Sequence, residues 1–239
     1  MLDSEARSIL CRCGWLSRQP AHFQRLWLAE AELRHHPPGK LLYAEGQLLS
    51  DLFGLVEGTL SVTFAPKAGS TLLLHVAQPG WWAGDMAAIS NGPRRATIAT
   101  RSDSWVMHVS LAALEAMAAE DPELWRRVAQ ITVGHLDHAM NIIASLTAGD
   151  ALARLVMALH RLVDLDGNRA SGYAVVTVSQ LELCAMTRIS RNAIAPLLMD
   201  LEKSGLIRRR YRRIEILDLR ALTALVKQAR PSRMVVRSV

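Results

Sequence analysis

Long apolar runs are missing from this chain. Half of its residues are hydrophobic, yet no stretch approaches the roughly 18 consecutive apolar residues that a membrane span requires. Cysteine is scarce. Three in 239 residues is an odd count, which argues against a disulfide framework. Cys11 and Cys13 form a C-x-C, but with the next thiol at Cys184 they read as incidental thiols rather than half of a metal or redox centre. The start carries Asp3 and Glu5 and no cationic stretch leading into an apolar run, so no secretory leader is expected. Catalytic signatures are missing as well: there is no H-x-H on a strand, no H-E-x-x-H, no phosphate loop ending in Gly-Lys-Ser/Thr and no Gly-x-Ser-x-Gly. His35 and His36 are adjacent, so in an extended segment they point to opposite sides. A metal-dependent oxygenase would need clustered ligands. These absences lead us to expect a soluble cytoplasmic protein that binds no metal and is not an enzyme.

What is present is a segregated charge. The chain is basic overall, at +6. Residues 170–239 hold 13 basic and 5 acidic side chains, whereas residues 1–149 hold 12 basic and 14 acidic. A slightly acidic body with a basic end is the electrostatic layout of a nucleic-acid binder.

The hydrophobic pattern changes period along the chain. The first 35 residues read as short helices. From Lys40 to about Val109 the pattern is one of short strands broken by turns. In 59–64, Leu60, Val62 and Phe64 alternate with polar residues; a turn is expected at 66–69. Leu72, Leu74 and Val76 share a face in the next strand, and Trp105, Met107 and Val109 share one in 104–109. Short, evenly punctuated strands suggest an antiparallel barrel or jelly roll. Beyond Ser110, a helix cap, the period is helical. Asp121-Pro122 opens a helix of roughly 25 residues, about 40 Å long, whose apolar residues cover more than one barrel can bury. Pairing with a second copy through Leu124, Val128, Ile131, His135, His138 and Ile142 is the economical explanation. His135 and His138 read as polar positions that set the register of such a pair. Asp150 caps the next helix, and 164–172 reads as a loop.

The last third carries the chemistry. A β-branched run over 173–178 precedes Ser179-x-x-Glu182, a capping box. A short helix, a turn at Thr187-Arg188-Ile189, and Ser190 as a second cap follow. The second helix runs 191–204, with Ile194, Leu197, Leu198 and Leu201 as its buried stripe and Gly205 as its stop. This is a helix-turn-helix whose second helix begins with Arg191 and Asn192, residue types that bond guanine and adenine bidentately. Residues 206–216 then read as two strands joined by a basic turn. Arg208, Arg209, Arg210, Arg212 and Arg213 make this a wing suited to phosphates.

Two sets of residues resemble the Crp/Fnr superfamily of transcription regulators, over nearly the whole chain. One is Ser179-Gln180-Leu181-Glu182-Leu183, Ile189-Ser190-Arg191-Asn192-Ala193-Ile194 and Leu201-Glu202-Lys203-Ser204-Gly205-Leu206-Ile207. The other is Pro79-Gly80, Gly84-Asp85-Met86 and Arg94-Arg95-Ala96-Thr97, similar to that family's phosphate-binding cassette. The resemblance implies an α+β architecture. A cyclic-nucleotide-binding-like β-barrel (a double-stranded β-helix) would span 1–120, a dimerisation helix 121–147 and a winged helix-turn-helix 148–230; the sequence itself reads as a short disordered tail over 231–239. It implies a homodimer on a palindromic operator in duplex DNA, in contact with RNA polymerase. Ser190 and Arg191 would contact backbone and base, and Ser179 phosphate. In a cyclic AMP or cyclic GMP site formed by Gly84, Asp85, Met86, Arg95, Ala96 and Thr97, Asp85 would meet the ribose hydroxyl and Arg95 the cyclic phosphate. Departures from the family pattern are Arg188 where the turn usually has Gly, Pro196 in place of a base-reading Arg, Asp85 for Glu, and Ala96 for a hydroxyl residue. An iron-sulfur sensor would need about four thiolates; a haem sensor would need an axial ligand, for which His75 and His108 are candidates. A nucleotide-binding module acting through a protein partner, without DNA, is the alternative reading.

Overall fold

The computed structural model describes residues 1–48, 51–66, 71–164 and 173–229. It divides into two compact units, one running from Met1 to Asp137 and one from His138 onward. The expected turn over 66–69, loop over 164–172 and tail over 231–239 lie wholly or mostly outside the described residues.

The first unit opens with helices α1 (Asp3–Arg12) and α2 (Ala21–Ala29), joined through a 3-10 turn at Leu16–Arg18. Strands β1 (Glu32–His36), β2 (Leu41–Tyr43), β3 (Leu52–Glu57), β4 (Leu60–Phe64), β5 (Leu72–Ala77) and β6 (Trp82–Ala83) follow. A short helix α3 (Asp85–Ser90) precedes β7 (Thr97–Thr100) and β8 (Ser104–Val109). Extended structure therefore starts at Glu32, earlier than periodicity suggested. The strands form two antiparallel four-stranded sheets, ordered β1-β8-β3-β6 and β2-β7-β4-β5, a jelly-roll-like arrangement of open sheets.

The first of these sheets is covered on both sides, and its residues show why. On β3, Phe53 and Leu55 join Tyr43, Leu60, Ile98 and Val106 in the core between the sheets. Leu52 and Val56, of opposite parity, join Met107 and Val109 against α1 and α2. Both faces of β3 and β8 are therefore apolar, so their alternation is weak. The helical layer is built on indoles. Trp15, Trp27 and Trp82 meet edge-to-face with ring centroids 5.0–5.7 Å apart, and the Trp15 indole N–H donates to the Arg127 carbonyl at 3.0 Å. A bulge between Val62 and Thr63 in the β4–β5 pairing breaks the expected face of Leu72, Leu74 and Val76. It leaves His75 buried, with its ring 5.9 Å from that of Trp81.

Helix α4 (Leu111–Glu120) is capped by Ser110, whose hydroxyl accepts from the Ala113 N–H at 3.1 Å. Helix α5 (Leu124–Leu146) has 23 residues, about 35 Å of rise. Its expected dimer stripe needs correction. Leu124, Val128 and Ile131 are buried by their own chain, in the core formed with α1, α2 and β8. They have no surface left for a partner. The apolar residues that α5 exposes are Val133, Leu136, Met140 and Ile143, spaced three and four apart on one face of the helix.

In the second unit, α6 (Ala151–Asp164) is capped by Asp150, which accepts from the N–H groups of Leu152 and Ala153 at 3.2 Å each. Strand β9 (Ala174–Val176), helices α7 (Gln180–Thr187) and α8 (Arg191–Lys203), and hairpin strands β10 (Ile207–Arg210) and β11 (Arg213–Ile216) complete a winged helix-turn-helix. The sheet order is β10-β11-β9. Helix α9 (Leu219–Ala229) packs on α6.

Candidate nucleic-acid interface and sensor site

The helix-turn-helix is held by local bonds, each visible in the sequence. Ser179 and Glu182 form the complete capping box: the serine hydroxyl accepts from the Glu182 N–H at 3.2 Å, and the carboxylate accepts from the Ser179 N–H at 2.8 Å. The hydroxyl expected to touch phosphate donates to the same carboxylate at 2.8 Å, so here it acts as a cap. Arg188 takes the place of the usual turn glycine by adopting the left-handed conformation itself, with φ +55°. That costs about 1 kcal/mol, keeps the turn, and leaves an exposed cation beside the second helix. Ser190 caps α8 through the Ala193 N–H at 3.3 Å. Arg191 and Asn192, the first residues of α8, are exposed, while Ile194, Leu198 and Leu201 are buried beneath them. Leu197 is only half-buried. The helix continues through Pro196, which is exposed. Because proline has no N–H, the Asn192 carbonyl one turn earlier lacks its helical donor.

The wing gathers its cations on two acids. Glu202 at the end of α8 accepts from the Arg209 N–H at 2.8 Å and from its Nε at 2.7 Å. These bonds hold the carboxyl below its ordinary range. Glu215 on β11 lies within 3.6 Å of Arg208, Arg210 and Arg213. Arg212 sits at the tip with φ +55° beside Tyr211, which is 90% exposed.

The sensor residues are distributed differently from the expectation. Gly84, with φ +104°, precedes α3; a Cβ there would lie 2.3 Å from the Asp51 carbonyl and 2.7 Å from Arg94 Nη1, so only glycine permits this close approach. Asp85 is 1% exposed. Its oxygens are already engaged by α5: the Thr132 hydroxyl donates at 2.6 Å and His135 Nδ1 lies 3.4 Å away. Burial alone would raise its pKa, but His135 and Thr132 outweigh burial and hold it below the ordinary value. Met86 points outward at 40% exposure. Arg95 is exposed, and it is Arg94 that is buried, to 2%. The correction is local: both residues precede β7, where Arg94 turns inward onto Tyr43 while Arg95, at the bend that leads into the strand, faces solvent. The Arg94 guanidinium stacks 4.1 Å over the Tyr43 ring and donates Nη2 to the Asp51 carbonyl at 2.6 Å. Its Nε and Nη1 are buried without a partner, and burial lowers its pKa. Thr97 accepts the Glu45 N–H at 3.0 Å. Sequence reasoning missed Arg94, Tyr43 and Thr132.

Of the remaining histidines, His36 and His108 meet at 3.1 Å through their Nε2 atoms. Burial, reinforced by Arg34 and His36, lowers the His108 pKa to about 3, so its ring is neutral. Among the described residues no three His, Cys, Asp or Glu converge as a metal site, and no helix is long and apolar enough to cross a membrane.

The winged helix-turn-helix with its arginine hairpin defines a DNA-binding class of protein, and comparison with known proteins agrees. Residues 33–121 match the cyclic nucleotide-binding domain and residues 153–225 the Crp-like helix-turn-helix domain. The chain is a member of the Crp/Fnr family, a DNA-binding transcription regulator. It is 24% identical over 184 residues to the CRP-like cAMP-activated global transcriptional regulator of Mycobacterium tuberculosis, covering 76% of this chain and 82% of that one. It is 28% identical over 182 residues to the transcriptional regulator LdrP of Thermus thermophilus, covering 76% and 90%. Among solved structures, FixK2 of Bradyrhizobium japonicum shares the fold, with a TM-score of 0.68 and 20% identity over 82% of this chain and 96% of that one.

Proposed function

We propose that the chain acts in the cytoplasm as a homodimer that sets two copies of α8 in successive major grooves of a palindromic operator, under the control of an anionic effector taken up by the jelly-roll unit, and that it regulates RNA polymerase there. The observation that carries this reading is the exposed Arg191-Asn192 start of α8 beside a wing with five arginines. Those arginines supply the sequence-independent attraction, and the helix start supplies base recognition. The reading replaces the expected dimer face. Val133, Leu136, Met140 and Ile143 on α5 are exposed apolar side chains in one stripe, the kind of surface that a second copy covers. Met86 and Ile89 on α3 add exposed apolar area in the first unit.

A cyclic nucleotide is the first effector to test, since the domain family binds such ligands and the mycobacterial relative is described as cAMP-activated. The residues fit its phosphate, because Arg94 Nε and Nη1 need an anionic acceptor. They fit its ribose only if a hydroxyl takes Asp85 over from Thr132 and His135. The phosphate would be held by Arg94 rather than Arg95. The test combines three measurements: selection of bound duplexes from a random pool, solution mass, and calorimetric titration with cyclic AMP and cyclic GMP. A palindromic consensus, a dimeric mass, and saturable binding lost in Arg94→Met support the reading. A monomer with no sequence preference refutes it. Failure to titrate moves the search to other small anions.

A further inference from the structure

The wing places more positive charge on its outer surface than a basic turn requires, and one buried acid orders it. Register sets Arg208 opposite Glu215 and Arg210 opposite Arg213. Strand alternation then puts all four on one face of the hairpin, with Arg209 and Ile214 on the other. Glu215 is only 6% exposed. Its carboxylate lies 3.5 Å from Arg208 Nη1, 3.6 Å from Arg210 Nε and 3.3 Å from Arg213 Nη2. The three arginine side chains remain about half exposed, at 51, 53 and 54%. A guanidinium has five N–H donors in a fixed plane. Each arginine can therefore give one nitrogen to Glu215 and keep the others turned outward.

We propose that Glu215 is a positioning residue for operator discrimination. It ties three long, otherwise mobile cations into one rigid array, whose free donors match phosphates only when α8 is seated in register in the groove. Ordering is completed before DNA arrives, so the operator complex loses little freedom on forming. A duplex in the wrong register meets a fixed array that cannot adapt. The same carboxylate removes one positive charge from the wing, which weakens attraction to duplexes of any sequence. Both effects widen the gap between operator and bulk DNA, which decides where a regulator resides.

The inference rests on the DNA-binding role of the wing, and the test separates the two. Binding of the full-length protein to the selected operator and to a scrambled duplex of equal length is measured over a range of salt for wild type, Glu215→Gln and Glu215→Asp. With Glu215→Gln, scrambled DNA should bind about 3–10-fold more tightly and its log–log salt slope should steepen by about one, while the operator-to-scrambled ratio falls about tenfold. Glu215→Asp keeps the charge but shortens the reach, so its scrambled affinity should equal that of wild type while the ratio still falls. Equal tightening on both duplexes by Glu215→Gln, or a wild-type ratio in Glu215→Asp, overturns the proposal. If Glu215→Gln does not fold, Arg213→Gln serves instead: it should weaken operator binding more than scrambled binding, and equal losses count against the array. A wild type that binds neither duplex would instead sink the DNA-binding reading.

Discussion

In the jelly-roll unit a single guanidinium, that of Arg94, is buried to 2% and stacked on Tyr43, whereas in the wing four guanidiniums sit around two carboxylates with much of each still exposed to water. The two settings have opposite energetics. The wing guanidiniums stay about half in water even where their carboxylate is buried, and so act mainly through their field and their reach toward phosphates. A buried cation with two unpartnered nitrogens is unfavourable for folding. On the reading proposed above, it serves binding rather than stability. The wing keeps its charge at the surface, where a large polyanion can reach it; on the reading proposed above, Arg94 keeps its own for a small anion inside.

The sharpest break between the units is expected on α5. Ile131→Asp places a carboxylate in a closed apolar core, costs about 3 kcal/mol or more, and should prevent the sensor from folding. Leu136→Asp, at an exposed site, should leave circular dichroism and melting unchanged while light scattering reports a monomer. A dimeric Leu136→Asp protein would return the interface to another face.

Acid should act next, and on the sensor. The folded His108 titrates at about 3, against about 6.5 for a free imidazole. Between these values the unfolded chain binds the proton and the folded one does not. Stability therefore falls as pH drops from about 6.5 to about 3, by at most about 1.4 kcal/mol per pH unit. Melts at pH 7, 5.5 and 4 test this: His108→Phe should flatten the dependence, and an unchanged slope would assign it elsewhere.

In the reader, Arg191→Ala should weaken operator binding by about 1–3 kcal/mol and relax one base position. Unchanged preference in a repeated selection would dismiss the recognition-helix assignment. The smallest effect, and the most direct test of the contrast, is Arg94→Met. It should raise the melting temperature of the effector-free protein by a few degrees, about 1 kcal/mol, while removing the response to effector. A lower melting temperature would mean that stacking on Tyr43 outweighs the unmet N–H groups.

The reader was legible because its determinants are local. The Ser179–Glu182 box, the Ser190 cap, the stop at Gly205 and the arginine hairpin all lie within some 40 residues, and the capping and hairpin bonds that announce them join near neighbours. The sensor was legible as a class, through β4 and the glycine-punctuated cassette, but not in detail. Its central strands β3 and β8 are apolar on both faces because α1 and α2 cover the outside, and no local pattern announces that cover. The same long-range packing claims Leu124, Val128 and Ile131. Arg94 and Arg95 are adjacent and identical in type, and the bend before β7 decides which of them is buried, which a motif read by residue type cannot resolve. The Asp85–Thr132 bond joins residues 47 apart in sequence, beyond the reach of any periodicity.

The indole cluster of the sensor has a further consequence. All six tryptophans, at positions 15, 27, 81, 82, 105 and 125, lie in the first unit, and the DNA-binding unit has none. Tryptophan fluorescence of the whole protein is therefore a private channel of the first unit. Trp81 in particular packs beside His135, the residue that faces Asp85, and should report events at the cassette. A dye on the duplex reports the reader. The two signals can be followed at once in the unmodified protein, and the delay between them gives the order in which effector and operator are felt.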